Sequence, residues 1–250
     1  MVYREFVDRL DRGDATEAGT VAVGQALDIL ATAGQTGGNR NATTQVELIE
    51  SASTGDEAEL RTCEVVQTLE GQTVDWIERV VTVDLTGPEA RVAQVITVSS
   101  RDTSDDLCIP PSVATELERM SIESQRMVDR ALTDPASLDI ADLELVYVPD
   151  WVEQIEQMAT SLDGARYEGE LELTASADSW IPEQVARVMV CQRLDDGRTR
   201  IDPDGNRDRY LAPGAEHGMA VSLQFDGERW RVEGALDHPD GCAQAVPKSM

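Results

Sequence analysis

The chain has 250 residues, which is enough for one large domain or for two domains of ordinary size. Hydrophobic residues make up 41% of the chain, a composition typical of folded proteins, and no apolar run approaches the roughly 18 residues of a membrane span. The 48 acidic and 21 basic residues give a formal net charge of -27, so phosphate backbones are repelled and nucleic acid is excluded as an expected partner.

The strong acidity has three explanations that the sequence leaves open. A solvated acidic surface is the simplest and the one we favour. Adaptation to high salt is the second explanation, since acid-rich and Lys-poor compositions suit it, and the only Lys is Lys248. Mimicry of DNA is the third.

The first predicted elements are two helices near the N-terminus. The chain enters a charged amphipathic pattern at once, with Phe6 and Val7 on its apolar side and no apolar core of a signal peptide. A second helical pattern covers residues 21–31, where apolar residues recur at helical spacing. Gly37 and Gly38 are suited to cap its C-terminal end.

Four strands are predicted after these helices. The segments that favour strands and turns are residues 45–49, 57–63, 69–71, 74–76 and 87–92. This half finishes on Cys108. Pro110 and Pro111 then stiffen the chain and block a helix, so residues 109–112 are predicted to be a linker.

The second half repeats this order of elements. The matching segments are residues 127–130, 146–158, 168–173, 184–191, 194–197 and 227–232. The closest match lies in the last hairpin, where Gly227 precedes Arg231 and Val232 at the spacing that Gly87 shows in the first half. Self-similarity of this kind is the mark of a duplicated unit.

The order of elements predicts the fold class. Helices followed by a meander of strands imply an antiparallel sheet packed on its helices, an α+β arrangement. We expect two tandem repeats, residues 3–108 and 113–242, with a linker over 109–112 and a tail over 243–250.

The four cysteines are placed alike in the two halves. In each half one cysteine lies in the second strand and the other beyond the fourth, so the repeat favours the pairs Cys63–Cys108 and Cys191–Cys242 among three connectivities. Metal binding is disfavoured because there is no Cys-x-x-Cys, and His217 and His238 lack ligand spacing. Free thiols remain the other alternative.

Disulfides indicate an oxidising compartment. We therefore expect an extracytoplasmic protein, secreted or at the cell surface, provided that a leader or lipid anchor precedes Met1. Contact with a membrane is expected only through such a removed segment.

Two stretches of the sequence resemble a known superfamily. Residues 4–10, with Gly13, Asp14 and Ala18, resemble the opening helix of the nuclear-transport-factor-like domains, also called cystatin-like or SnoaL-like. Residues 204–205, 221–223 and 227–232 resemble their closing hairpin. The chain looks most like exported and lipoprotein members from actinobacteria. This resemblance implies two cystatin-like units, each with helices on a curved four-stranded antiparallel sheet.

The same resemblance leaves several functions open, since fold does not decide function. Some members are isomerases, hydrolases or polyketide cyclases, many only bind or assemble, and tandem copies occur in conjugation machinery. We expect a non-enzymatic envelope module that binds a protein or a small apolar ligand, without a cofactor. The alternatives are a small-molecule-binding or enzymatic protein using a pocket in the first repeat, and a conjugation or secretion component.

No catalytic set is predicted. Asp75 is the most tempting general base, but strand alternation places it opposite Trp76 and therefore in water if Trp76 faces the core. The two His lie in irregular segments and cannot complete a triad with a Ser or Cys.

A segment with oxygen-bearing side chains at alternate positions resembles the front of a calcium loop. Its residues are Asp202, Asp204, Asn206 and Asp208. It lacks the expected Gly and the closing acidic residue, so a hairpin turn around Asp-Gly-Asn is the favoured interpretation.

The two repeats differ in their large aromatic residues. Trp151 and Trp230 of the second repeat stand where the first has Ala26 and Ala90. The rings are expected to fill the second core. In the first repeat, Trp76 either fills the space or leaves a pocket bordered by Trp76, Ala26 and Ala90.

Overall fold

The computed structural model describes residues 2–12, 15–26, 42–68, 70, 73–100 and 108–245. The chain divides into two compact units, a first unit of residues 1–112 and a second unit of residues 113–249. Both contain helices and antiparallel sheets, so the chain has an α+β fold. None of the helices in these ranges has the length and apolar composition of a membrane span. The predicted helix caps Gly37 and Gly38 lie outside the described residues.

The first unit is a short helical segment followed by a four-stranded meander. Its elements are α1 (Val2–Asp11), α2 (Ala15–Ala18), a 3-10 turn (Gly19–Val21), β1 (Ala42–Thr54), β2 (Glu57–Thr68), β3 (Thr73–Asp84) and β4 (Arg91–Ser100). The strands lie in the order β1-β2-β3-β4, each antiparallel to the next. Thr54 pairs with Glu57, so two residues connect β1 to β2, and Gly55 supplies the positive φ of 64°.

The core of the first unit lies between α1 and one face of this sheet. Tyr3, Phe6 and Val7 of α1 are buried at helical spacing. They pack in one apolar cluster with sheet residues that include Leu60 and Val81. Burial of this apolar surface holds α1 on the sheet.

The second unit has three helices before its strands and one after them. Its elements are α3 (Pro111–Thr133), a 3-10 turn (Pro135–Ser137), α4 (Ile140–Val146), α5 (Pro149–Ser161), β5 (Arg166–Glu168), β6 (Glu172–Ile181), β7 (Val185–Leu194), β8 (Arg198–Ile201), β9 (Arg207–Leu211), β10 (Ala215–Phe225), β11 (Trp230–Asp237) and α6 (Gly241–Ala245). One sheet has the order β6-β7-β10-β11 and a smaller one the order β5-β8-β9.

Residues 195–214 form an excursion from the larger sheet. Leu194 pairs directly with Ala215, so β7 and β10 are neighbours and the chain between them leaves to form β8 and β9. The turn predicted at residues 194–197 is present, but it leads into β8 of the smaller sheet and not directly into the next strand of the predicted four-stranded meander. Gly197 takes a φ of 76°, which turns the chain into β8 instead.

The predicted linker and tail also need correction. Helix α3 begins at Pro111, inside the predicted linker, because Pro is tolerated in the first turn where its missing N–H is not needed. Residues of the predicted tail belong to α6, and Ala245 is fully buried there.

Each unit contains one disulfide. Cys63 of β2 is bonded to Cys108, with Cα atoms 5.8 Å apart. Cys191 of β7 is bonded to Cys242 of α6, with Cα atoms 4.4 Å apart. Both separations are ordinary for disulfides, and the pairing is the one that the repeat favoured.

Two glycines let α6 lie directly on the sheet. A Cβ at Gly241 would lie 2.6 Å from the amide nitrogen of Met219. A Cβ at Gly218 of β10 would lie 2.7 Å from the carbonyl oxygen of His238. Neither backbone can yield without moving α6 away from the sheet.

We therefore expect Gly241→Ala to destabilise the second unit by about 1–3 kcal/mol, as overpacking does. Urea unfolding of the intact chain measures this change. Gly234→Ala is the matched control, because a Cβ at Gly234 meets nothing within 4 Å. Equal stability of the two variants would contradict the close packing of α6.

Candidate functional site

The second unit contains a cleft of about 430 Å³, called the β9 cleft here. The ends of α3 and α5 form one side, and residues of β5, β7, β8, β9 and β10 form the rest. Leu132, Met158 and Leu162 from the helical side face Tyr167 and Leu211 across it. A mainly apolar wall with a few polar groups is the usual construction of a ligand site.

Aromatic and cationic groups stack at one wall of the β9 cleft. The rings of Tyr167 and Tyr210 meet edge to face, with centroids 5.0 Å apart. The guanidinium carbon of Arg198 lies 5.3 Å from the centroid of the Tyr167 ring, a cation–π distance. Tyr210 remains 60% exposed, so the aromatic pair reaches from the wall to the surface.

The charge of Arg198 is neutralised inside the protein. Arg198 is only 7% exposed, and its Nη2 donates to Oδ1 of Asp129 over 2.5 Å. Its Nε is buried and has no hydrogen-bond partner among the described residues. Because Asp129 compensates the charge, Arg198 does not act as an open receptor for anions.

The other polar groups of the β9 cleft are also occupied or solvated. The hydroxyl of Ser161 donates to the carbonyl oxygen of Met158 over 2.7 Å. Nε2 of His217 lies 3.0 Å from Oδ1 of Asp237, and both side chains are largely exposed at the rim. The β9 cleft therefore combines a mainly apolar wall with polar groups that are hydrogen-bonded or lie at its exposed rim.

A second constellation lies in the core of the first unit. The Tyr3 hydroxyl donates to Oε1 of Glu64 over 2.5 Å, and Nε of Arg79 lies 3.1 Å from Oε2. Burial raises the pKa of Glu64 above its ordinary value and, with the charge of Glu64, raises the pKa of Tyr3 as well. Both carboxylate oxygens already have partners, which indicates a structural role.

The raised pKa of Glu64 predicts a specific dependence of stability on pH. The folded state holds this proton more tightly than the unfolded state, whose carboxyl keeps a pKa near 4.5. The stabilisation by Glu64 is therefore complete below that pH and is lost as pH rises through the raised folded-state pKa. In the wild type, the free energy of unfolding in urea should therefore fall as pH rises from mildly acidic to neutral. We expect Glu64→Gln to remove this fall.

Glu59→Gln provides the control for the pH series. Glu59 is on the same strand as Glu64 but is exposed, so this variant should keep the profile of the wild type. Parallel profiles for wild type and Glu64→Gln would show that the burial of Glu64 does not govern the pH dependence.

The residues of the predicted first-repeat pocket do not come together. Ala26 is fully buried in the cluster beneath α1, whereas Ala90 is exposed at the turn before β4. Trp76 is buried, but it pairs with Val65, so it lies on the sheet face opposite the α1 side.

The environment of Asp75 also differs from the expectation. Asp75 pairs with Val66 and so lies on the face that α1 covers, where it is half-buried instead of fully solvated. Its Oδ1 accepts a hydrogen bond from the amide of Trp76 over 2.8 Å. The expectation that Asp75 lies in water depended on Trp76 facing the main core, whereas Trp76 lies on the opposite face of the sheet.

The residues of the calcium-like segment form the turn between β8 and β9. Oδ1 and Oδ2 of Asp202 accept hydrogen bonds from the amide and the side chain of Asn206, over 2.8 and 2.7 Å. These bonds lower the pKa of Asp202. Asp204 lies at the exposed tip, and Asp208 pairs with Arg200 across the two strands. This geometry is that of a hairpin turn.

The tryptophans of the second unit are partly placed as expected. Trp230 is buried and its ring meets Phe225 edge to face, with centroids 5.4 Å apart. Trp151 is only half-buried. Sequence reasoning missed the β9 cleft, because the residues that line it are far apart in the sequence.

Comparisons with known proteins leave the family of this chain open. No protein-family profile and no curated protein matches the sequence. The solved intermembrane-space region of the chloroplast protein ARC6 is similar to 50% of this chain and to 95% of its own length, at 15% identity and a TM-score of 0.40. A solved Ntf2-like protein involved in plasmid conjugation is similar over 87% of this chain and 90% of its own, at 6% identity and a TM-score of 0.27.

Proposed function

We propose that the chain is a non-enzymatic binding module and that the β9 cleft of its second unit holds the partner. The observation that carries this proposal is the mainly apolar wall around Arg198, whose charge Asp129 compensates internally. Such a site offers apolar contact and shape, and its titratable side chains Glu216 and His217 are exposed at the rim. Tyr, as at Tyr167 and Tyr210 here, is among the residue types that contribute most to the affinity of protein interfaces.

We propose further that the two units are tandem copies of one cystatin-like domain. Ala22 forms a parallel bridge to Val92, and Tyr147 forms one to Val232. These pairs are equivalent in the sequence repeat. In addition, the amide of Val23 donates to the carbonyl oxygen of Val92 over 2.7 Å, and the amide of Val148 donates to that of Val232 over 3.0 Å. The equivalent disulfides support the same proposal.

An extracytoplasmic location is part of this proposal. The two disulfides support it, because such bonds persist mainly in oxidising compartments. A module of the cell envelope or of the secreted protein pool would meet its partner there.

Selection from a displayed library of random peptides tests the binding function. The immobilised intact chain should enrich peptides, and Leu211→Asp should lower their retention about tenfold by placing a charge in the apolar wall. Leu236→Asp is the matched control, because Leu236 is 76% exposed on β11 and does not line the β9 cleft. A lack of enrichment, or retention that Leu211→Asp leaves unchanged, would contradict the proposal.

A further inference from the structure

We propose that the partner of the β9 cleft is an extended peptide that adds as a strand to the free edge of β9 and in which acidic and apolar residues alternate. This inference rests on the binding function proposed above and names the class of ligand. It follows from the edge of the small sheet, from the charge of that sheet and from the two faces of β9.

Strand β9 has a free edge. It is the last strand in the order β5-β8-β9, and among the described residues it pairs with β8 alone. All five of its residues, Arg207–Leu211, are exposed. The outward N–H and C=O groups of such a strand are a template for another chain, and addition of a peptide strand is a common mode of recognition.

The small sheet is basic in a chain that is otherwise strongly acidic. Its three strands contain five Arg and only two acidic residues. Arg166 and Arg207 share Glu168, at 3.6 and 2.6 Å. Arg200 and Arg209 have no ion pair with any described residue. An acidic peptide complements these cations, whereas the net charge of -27 repels it elsewhere on the chain.

The two faces of β9 differ in chemistry. Arg207 pairs with Ile201 and Arg209 with Thr199, so both Arg side chains lie on one face of the small sheet. The register shifts between Arg198 and Thr199, so Leu211, which pairs with Arg198, lies on the other face, which borders the β9 cleft.

A strand added beside β9 would point alternate side chains to these two faces. Acidic side chains would meet Arg207 and Arg209, and apolar side chains would point towards the β9 cleft. The ligand is therefore a segment of the pattern acidic–apolar–acidic–apolar, recognised through its backbone and through both sets of side chains.

A synthetic peptide in which Glu alternates with Leu tests the pattern. Fluorescence anisotropy with the intact chain should show affinity at least roughly tenfold above that of a peptide with the same composition in blocks, since blocks cannot serve both faces. N-methylation of alternate amides in one register should abolish binding, and in the other register should leave it, because only one set of amides faces β9. Equal affinity of the alternating and block peptides, or indifference to N-methylation in both registers, overturns the proposal.

Charge reversal on β9 tests the acidic contacts. We expect Arg207→Glu with Arg209→Glu to weaken the alternating peptide about tenfold and to reduce the salt dependence of its binding. Arg119→Glu with Arg126→Glu is the control, because it changes the net charge equally on the exposed side of α3. Equal loss in both double variants would indicate only long-range charge and overturn the proposal.

The two proposals fail in distinguishable ways. If library peptides depend on Leu211 but tolerate both the Arg207/Arg209 reversal and N-methylation, the binding function stands and strand addition does not. If no peptide depends on Leu211, the binding function itself fails.

Discussion

Removal of the Cys191–Cys242 disulfide is expected to lower the free energy of unfolding of the second unit by about 4 kcal/mol. The bond closes a loop with a sequence separation of 51 residues, and loop-closure entropy of that size corresponds to about 4 kcal/mol. The melting temperature should fall by roughly 10–20 °C. Urea and thermal unfolding of Cys191→Ala with Cys242→Ala measure both quantities without leaving a free thiol.

The bond has a second effect because it anchors α6. Ala245 of this helix is fully buried against Met189, Cys191 and Ala220 of the sheet. Without the bond, α6 is held by non-covalent contacts alone, those of Ala245 and the close packing of Gly241 on Gly218 and Met219. We therefore expect hydrogen exchange in residues 241–245 to accelerate more than exchange elsewhere in the second unit.

Cys63→Ala with Cys108→Ala is the matched comparison. The sequence separation in this pair is 45 residues, so the entropy model predicts a similar loss for the first unit. A loss below about 1 kcal/mol for Cys191→Ala with Cys242→Ala, or unchanged exchange in α6, would refute the role assigned to the bond.

Asp129→Ala is expected to destabilise the second unit by about 3–5 kcal/mol. The substitution leaves the guanidinium of Arg198 without its partner. The side chain of Arg198 is only 8% exposed, so its charge would be buried and unpaired. Equilibrium urea unfolding gives the change in free energy. Glu123→Ala is the control, since its pair with Arg119 is exposed and contributes about 0.3–0.5 kcal/mol.

A double variant separates the charge from the packing. We expect Asp129→Leu combined with Arg198→Met to recover most of the stability lost in Asp129→Ala, because no buried charge remains. If the double variant is as unstable as Asp129→Ala, the loss comes from packing around Arg198 and not from its unpaired charge.

The sequence was most informative where residues repeat at equal spacing. The matched valines Val92 and Val232 both receive a parallel bridge from the segment that precedes the strands. The matched cysteines are joined within each unit. Such features are readable because residues at matching positions of the sequence make matching contacts in the two units.

Two features were harder to predict from the sequence: the sheet face on which a strand residue lies, and the excursion of residues 195–214. Alternation correctly placed Asp75 and Trp76 on opposite faces of the sheet. It does not reveal which face packs against α1 when side chains on both faces are buried or half-buried. The residues around Gly205 were recognised as a hairpin turn, yet β8 and β9 on either side are too short and too rich in Arg to show an apolar alternation. The β9 cleft was therefore beyond the sequence, since its walls come from seven separate elements.

Hydrogen exchange of the intact chain, followed by mass spectrometry with and without the alternating Glu–Leu peptide, tests most directly whether the second unit holds the partner at β9. The account predicts slower exchange in residues 207–211 when the peptide is present, and unchanged exchange in β2 and β3 of the first unit. Slower exchange in the first unit, with none in residues 207–211, would contradict it.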